Sequence, residues 1–227
     1  MKLVAHDLAC RRAGRTIFRG LGFAVAPGAA AALRGPNGSG KSSLLRVLAG
    51  LAPAAGGTVR LGDLDLARDG EAWRERVALA GHLDAVKPGF SVRENLTCWA
   101  DFHGAPRARA DAALERFGLE SRADDPAHWC SAGQKRRLGL ARLLIVDRPV
   151  WLLDEPTVSL DAASVAVFAQ VVAEHCAAGG LALAATHVDL GFGAGAEVHM
   201  PAPGASDPAD DDANHAASDP FLGEDWA

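Results

Sequence analysis

Two patterns of hydrophobic and polar positions alternate along the first 190 residues of the chain. Three short runs are almost wholly apolar: AAALR (30–34), VWLLDEP (150–156) and LALAATH (181–187). Such runs are typical of strands buried on both faces of a parallel sheet. TVRLG (58–62) and ERVALAG (75–81) are two further predicted strands. Together they predict an α/β fold with a mostly parallel sheet covered by helices.

Helical periodicity fills the segments between these runs. It predicts a helix at 43–50, which ends near Gly50, and another at 162–180, which ends at a glycine pair. The segment 91–104 opens on Ser91 and Glu94, the spacing of a capping box, and 105–118 is a second helical pattern. These segments predict one domain over residues 1–200, with a helical insert at about 91–148.

Composition narrows the possible functions. The chain has 227 residues, of which 49% are apolar, and a formal net charge of −5. The negative charge argues against a nucleic-acid partner, because neutralising phosphates needs a basic face. The four cysteines form no CxxC pair, which favours reduced thiols over a metal site or disulfides. Residues 201–227 are rich in Ala, Asp and Pro and are predicted to be a disordered acidic tail.

GPNGSGKSS (35–43) fits the spacing of a phosphate-binding loop, between a predicted strand and a predicted helix. Glycines let successive backbone N–H groups converge on phosphate oxygens, while Lys41 neutralises the β- and γ-phosphates and the Ser42 hydroxyl ligates Mg²⁺. A chance glycine-rich turn is the alternative, and the flanking strand and helix argue against it. The candidate ATP-binding residues are Gly35, Pro36, Asn37, Gly38, Ser39, Gly40, Lys41, Ser42 and Ser43.

Two later strand ends carry candidate chemistry. Asp154 ends the apolar run WLL, where its carboxylate can hold Mg²⁺, and the next residue, Glu155, can polarise an attacking water. His187 ends the run at 181–187 and can contact the γ-phosphate. Acids after a strand are often only a solvated turn, and a lone histidine is often structural. Their combination with the phosphate loop favours the catalytic interpretation.

CSAGQ (130–134) is a second segment suited to phosphate binding, because a hydroxyl residue and a glycine precede the helical pattern QKRRLGLARLLI. With it, the chain resembles the nucleotide-binding domain of ATP-binding cassette (ABC) transporters, with GPNGSGKSS, CSAGQKRR, WLLDEP, VSLD (158–161) and ATH (185–187) as its motifs. The resemblance implies a P-loop ABC ATPase with a helical signature subdomain. It also implies that two copies face each other head to tail. The residues contributed to the partner copy's ATP would be Ser131, Ala132, Gly133, Gln134 and Asp161.

A narrower resemblance rests on GHLDAVKPGFSVRENL (81–96), the alanine in SAGQ, and WLLDEP. These segments are similar to the ATP-binding subunits of cytochrome c maturation haem exporters. That family implies ATP and Mg²⁺ as cofactors, integral membrane subunits as partners and a place on the cytoplasmic face of the inner membrane. It also implies haem, or a haem-loaded chaperone, as what is moved.

The chain departs from the ABC pattern at two places. Leu83 stands where the family has a metal-linked glutamine, and leucine cannot ligate a metal, so His82 is a candidate substitute. No aromatic residue is available in ACRRAGRT (9–16) to stack on adenine, and Arg12 is the candidate there. Phe18 alternates with Ile17 in a strand pattern and is expected in the core.

Two rival functions remain open on the sequence. A cassette that acts on DNA would need a long coiled coil between Lys41 and Ser131, and no sustained heptads occur there. A translational cassette usually carries two such domains in one chain. An ABC transporter ATPase for another cargo is the stronger alternative, because the membrane subunits select the cargo.

Overall fold

The computed structural model of the protein describes residues 1–188, 190–192 and 197–201. Its central element is a five-stranded parallel sheet in the order β6-β7-β8-β3-β9. The strands are β3 (Ala30–Arg34), β6 (Val77–Ala80), β7 (Val150–Asp154), β8 (Leu181–Ala185) and β9 (Glu197–His199). The apolar runs therefore form the predicted strands, and all five residues of both β7 and β8 are buried.

A second, antiparallel sheet has the order β2-β1-β4-β5. It consists of β1 (Leu3–Arg12), β2 (Arg15–Val25), β4 (Gly56–Leu61) and β5 (Leu64–Asp65). The segment TVRLG is thus a strand as predicted, but it belongs to this antiparallel sheet. This antiparallel sheet was not predicted, because the polar residues at His6–Asp7 interrupt the alternation of β1.

The parallel sheet separates two cores, and helices cover its two faces. On one face, α1 (Lys41–Leu48) packs between the sheets with α2 (Gly70–Arg74) nearby; on the other lies α6 (Ala162–Ala177). Side chains of β7 alternate between these cores: Val150 and Leu152 face the first, Trp151 and Leu153 the second. Such two-sided burial explains why the strand sequence is continuously apolar.

The helical insert lies between β6 and β7. It comprises α3 (Val92–Phe102), α4 (Ala108–Arg116), α5 (Ala132–Ala141) and three short 3₁₀ turns (Glu120–Arg122, Ala127–Trp129 and Arg142–Leu144). The capping box predicted for α3 is present, with Ser91 Oγ accepting from Glu94 N. The predicted acidic tail, 201–227, lies outside the described residues apart from Pro201. Among the described helices, none is long and apolar enough to cross a membrane.

Candidate functional site

The phosphate loop connects β3 to α1 at the carboxyl edge of the parallel sheet, where ligands of such sheets bind. Gly40 has φ 93°, and a Cβ there would lie 2.5 Å from Ile17 Cγ2, so glycine is required. Lys41 is buried, and its Nζ donates to Gly35 O at 2.8 Å and Pro36 O at 3.1 Å. The ammonium is thus held inside the loop by carbonyls that a phosphate could replace.

Ser39 supplies independent evidence that the loop fits an anion. Its side chain is 1% exposed, and its Oγ has no hydrogen-bond partner among the described residues. An unpartnered buried hydroxyl costs free energy unless a ligand or water satisfies it. The oxygen atoms of a nucleotide phosphate are acceptors of the required kind. Gly35, Pro36, Asn37, Gly38 and Ser43 complete the loop and the first turn of α1.

Ser42 and Asp154 meet across the sheet edge. The Ser42 hydroxyl donates to Asp154 Oδ1 at 3.1 Å, and Asp154 is the buried last residue of β7. A hydroxyl and a carboxylate side by side are the oxygen ligands that Mg²⁺ prefers. The two residues named from the sequence as metal ligands are therefore adjacent in space.

Glu155 adopts a left-handed backbone conformation, with φ 46°. A non-glycine residue held in this region costs about 1–3 kcal/mol, and such residues cluster at functional sites. Its backbone N–H donates to Ala185 O at 2.8 Å, which ties it to the end of β8. This geometry directs the chain sharply away from the strand immediately after the metal-ligand candidate Asp154.

His187 lies beside this carboxylate. Its Nε2 is 3.5 Å from Glu155 Oε1, and the imidazole is 63% exposed while the carboxylate side chain is 27% exposed. Thr186, one residue earlier, is buried, and its carbonyl accepts from Arg34 Nη1 at 2.7 Å. The ends of β3, β7 and β8 therefore bring together the phosphate loop, the candidate metal ligands, the candidate catalytic carboxylate and the histidine.

The segment CSAGQ forms the N-terminus of α5. Ser131 is its N-cap: Ser131 Oγ accepts from Gln134 N at 3.2 Å, and Gln134 Oε1 accepts from Ser131 N at 2.8 Å. Ser131 and Ala132 are exposed. A Cβ at Gly133 would lie 2.7 Å from Ser159 O, so glycine here permits close contact with the 158–161 segment. Asp161 in that segment caps α6 through Ser164, and hydrogen bonds from Ser164 hold the pKa of Asp161 below its ordinary value.

Arg12, the residue named for adenine stacking, is the exposed last residue of β1. It pairs with Arg15 across a two-residue turn, Ala13–Gly14, in which both residues have positive φ. Phe18 on the next strand is buried, as expected, and Ile17 reaches Gly40. The adenine role of Arg12 stays a prediction.

Arg136 was missed by the sequence reasoning. It is buried in α5 and donates to the carbonyls of Asp154, Glu155 and Pro156. The available signal was helical spacing: Gly133, Arg136 and Leu140 are three and four residues apart and so share the inward face of α5. His82 and Leu83, by contrast, are exposed.

Comparisons with known proteins show the family to which this chain belongs. A family model described as ABC transporter matches residues 18–158. A Paramagnetospirillum magneticum protein named "Cytochrome c biogenesis ATP-binding export protein CcmA" is 52% identical over 200 residues, which cover 86% of this chain and 92% of that protein. The Cereibacter sphaeroides protein of the same name is 50% identical over 224 residues, with 98% and 99% covered.

Solved structures are also similar to this chain. The cbiO1 structure from Clostridium perfringens, described as part of the ABC transporter complex cbiONQ, has a TM-score of 0.70 at 28% identity and covers 82% of this chain and 78% of its own. An ATP-binding subunit of an ABC transporter has a TM-score of 0.74 at 24% identity, covering 82% and 80%, and shows the shared fold. The predicted fold class, an α/β ABC cassette, is confirmed.

Proposed function

This chain belongs to the ABC transporter family and, within it, to the cytochrome c biogenesis ATP-binding export proteins, and from that premise we propose that two copies hydrolyse ATP in shared sites to drive a membrane partner. The observation that carries the hydrolytic site is the hydrogen bond between Ser42 and Asp154, which are 112 residues apart in sequence. The proposed partners are a second copy of the chain and integral membrane subunits at the cytoplasmic face of the inner membrane.

Each group at the sheet edge has a role in phosphoryl transfer. Backbone N–H groups of the loop and Lys41 bind the phosphates and neutralise their charge. Ser42 and Asp154 would hold Mg²⁺, which supplies further positive charge to the phosphate oxygens. Glu155 orients and polarises the attacking water, and His187, beside it, contacts the γ-phosphate. The protein thereby positions reactants and stabilises charge, which is most of what this reaction needs.

Ser131, Ala132, Gly133 and Gln134 would cover the ATP bound by a second copy, together with Asp161. The N-terminus of α5, where Ser131 and Ala132 are exposed, presents the positive end of the helix dipole, which favours a phosphate. The capping hydrogen bonds of Ser131 hold this turn in shape before the partner arrives.

An exposed apolar groove is the proposed face for the membrane partner. It is lined by residues of α3 and of the loop after β6, among them Val86, Phe90, Cys98 and Phe102. Phe102 is 81% exposed, and exposed apolar patches of this kind mark interaction sites. Cys98 in this groove should react with a maleimide in the isolated chain and be protected in the membrane complex. Equal labelling in both would place the partner elsewhere.

We further propose that hydrolysis drives the outward transfer of haem, or of a haem-loaded chaperone, for c-type cytochromes. A Lys41→Ala strain should accumulate apocytochrome with little covalently bound haem, while b-type cytochromes stay normal. Haem staining after denaturing electrophoresis measures this, and Lys2→Ala is the matched exposed-lysine control. Normal c-type bands in the Lys41→Ala strain would refute the haem assignment and leave the ATPase with another cargo.

A further inference from the structure

Arg136 uses every N–H of its guanidinium inside the protein. Nε donates to Pro156 O at 3.0 Å; Nη2 donates to Asp154 O at 3.1 Å and Glu155 O at 2.8 Å. Nη1 donates to Gly81 O and to Asp84 Oδ1, both at 2.9 Å. An arginine side chain has five N–H donors in a fixed planar arrangement, and here five acceptors meet them. Lysine has three donors at one point and could not satisfy this set.

These acceptors belong to two different segments. Three are successive carbonyls at the end of β7, which include the left-handed Glu155. The other two lie in the loop that follows β6, at Gly81 and Asp84. Because Arg136 itself belongs to α5, one buried side chain ties the helix of CSAGQ to the water-polarising carboxylate and to the 81–84 loop.

The 81–84 loop is also pressed directly against α5. A Cβ at Gly139 would lie 2.9 Å from Asp84 O, one turn along the helix from Arg136. Leu83, at the position where the family has glutamine, is 81% exposed. Asp84 is the neighbouring residue that faces inward: its side chain is 26% exposed, and that of Arg136 is 6% exposed.

We propose that Arg136 is a positioning residue for Glu155 and that the Asp84–Arg136 ion pair links the 81–84 loop to hydrolysis in this chain. Arg136 holds the Glu155 peptide from one side while Ala185 O holds it from the other. A shift of the loop therefore reaches Glu155 through a single rigid guanidinium. The proposal rests on the ATPase function proposed above and assigns the linkage to Asp84, where the sequence had suggested His82.

The test compares kcat, KM and ATP affinity for the full-length chain, alone and in the membrane complex isolated through it. Asp84→Ala should lower kcat about tenfold and leave KM, ATP affinity and melting temperature nearly unchanged, because Glu155 is displaced while the phosphate loop is intact. Asp84→Glu retains the carboxylate and should recover about half of the rate. Asp101→Ala, which removes an exposed ion pair with Arg107, is the matched control and should keep the full rate.

A double-mutant cycle makes the linkage specific. Arg136→Lys should also lower kcat, and adding Asp84→Ala to it should cause less than about a twofold further loss, since the linkage is already broken. If Arg136→Lys does not fold, the Asp84 series decides alone. Wild-type kcat in Asp84→Ala, or a lower rate that Asp84→Glu does not recover, would overturn the proposal.

Lys41→Ala distinguishes failure of the linkage proposal from failure of the proposed ATPase function. If it abolishes hydrolysis while Asp84→Ala has no effect, the ATPase stands and the linkage is wrong. If Lys41→Ala leaves ATP hydrolysis unchanged, the proposed function is wrong, and so is the linkage that rests on it.

Discussion

The two phosphate-binding regions of this chain are built in opposite ways. The nucleotide half-site, residues 35–43 with Asp154 and Glu155, is assembled at the ends of β3 and β7, and its charged groups are partly enclosed: Lys41 is 9% exposed and bonded to its own loop, and Asp154 is buried. The signature half-site, residues 131–134, is a single helical turn in which Ser131 and Ala132 are exposed and the side chains of Ser131 and Gln134 cap each other's backbone N–H groups. The first is assembled by the fold itself, whereas the second presents an exposed helix N-terminus and so suits a ligand carried by another molecule.

Glu155→Gln should have the largest effect of the substitutions that test these two half-sites. The amide cannot accept a proton or polarise water as a carboxylate does, so hydrolysis should fall by at least about 100-fold while ATP still binds. With Mg-ATP trapped in the nucleotide half-site, two copies should stay together across their signature turns. Light scattering with and without Mg-ATP measures the dimer. A variant that is saturated with ATP yet monomeric at high concentration would contradict the shared site.

Gly133→Ala tests the signature half-site. The added Cβ meets Ser159 O, so the turn must shift, and hydrolysis should fall about tenfold while ATP binding is retained. Mixing this variant with Lys41→Ala should restore activity to about a quarter of wild type, because mixed dimers contain one site with both halves intact. Mixtures no more active than the separate variants would mean that each chain hydrolyses ATP by itself.

Smaller effects are expected at the position of the missing glutamine. His82→Ala should change hydrolysis by less than about twofold, because His82 is exposed and a surface substitution away from contacts is usually mild. Leu83→Gln should raise the rate slightly or leave it unchanged. The assay is steady-state ATP turnover, with Asp84→Ala in parallel. A severe loss in His82→Ala would return the linkage to the histidine.

The smallest expected effect concerns the thiol of Cys130, which precedes the signature turn. Burial raises the pKa of Cys130, so less thiolate is present at neutral pH, and alkylation should be about tenfold slower than at exposed Cys98. Mass spectrometry of iodoacetamide-treated protein gives both rates. Raising the pH should accelerate Cys130 as its thiolate forms. Equal rates at neutral pH would show that the signature turn opens freely in the isolated chain.

Sequence reasoning predicted what depends on local pattern. The strands β3, β7 and β8 were correct because burial on both faces leaves a continuous apolar run. The strand β1 was missed because its alternation breaks at His6–Asp7, where both residues are exposed and Asp7 has φ 50°. A bulge of this kind shifts the register and is invisible to a period-two pattern.

The same limit applies to the site. Motif spacing identified Ser42 and Asp154, but no spacing rule gives their contact across the sheet. Arg136 was overlooked because charged residues are rarely fully buried unless they are paired, and its acceptors are mostly backbone carbonyls from distant segments. No local sequence pattern indicates acceptors of this kind, because every residue has a backbone carbonyl.

The position of β3 in the sheet also bears on synthesis of the protein. This strand leaves the ribosome early, yet its neighbours β8 and β9 come near the end of the described chain; Arg34 and its partner Thr186 are 152 residues apart. At about 5–20 residues per second, the ribosome needs roughly 10–30 s more before β3 can pair. The phosphate loop is therefore translated early, but the strand that leads into it gains its neighbours only after β8 has been made. During that interval the nascent chain exposes an unpaired apolar strand, which is where chaperone binding should concentrate.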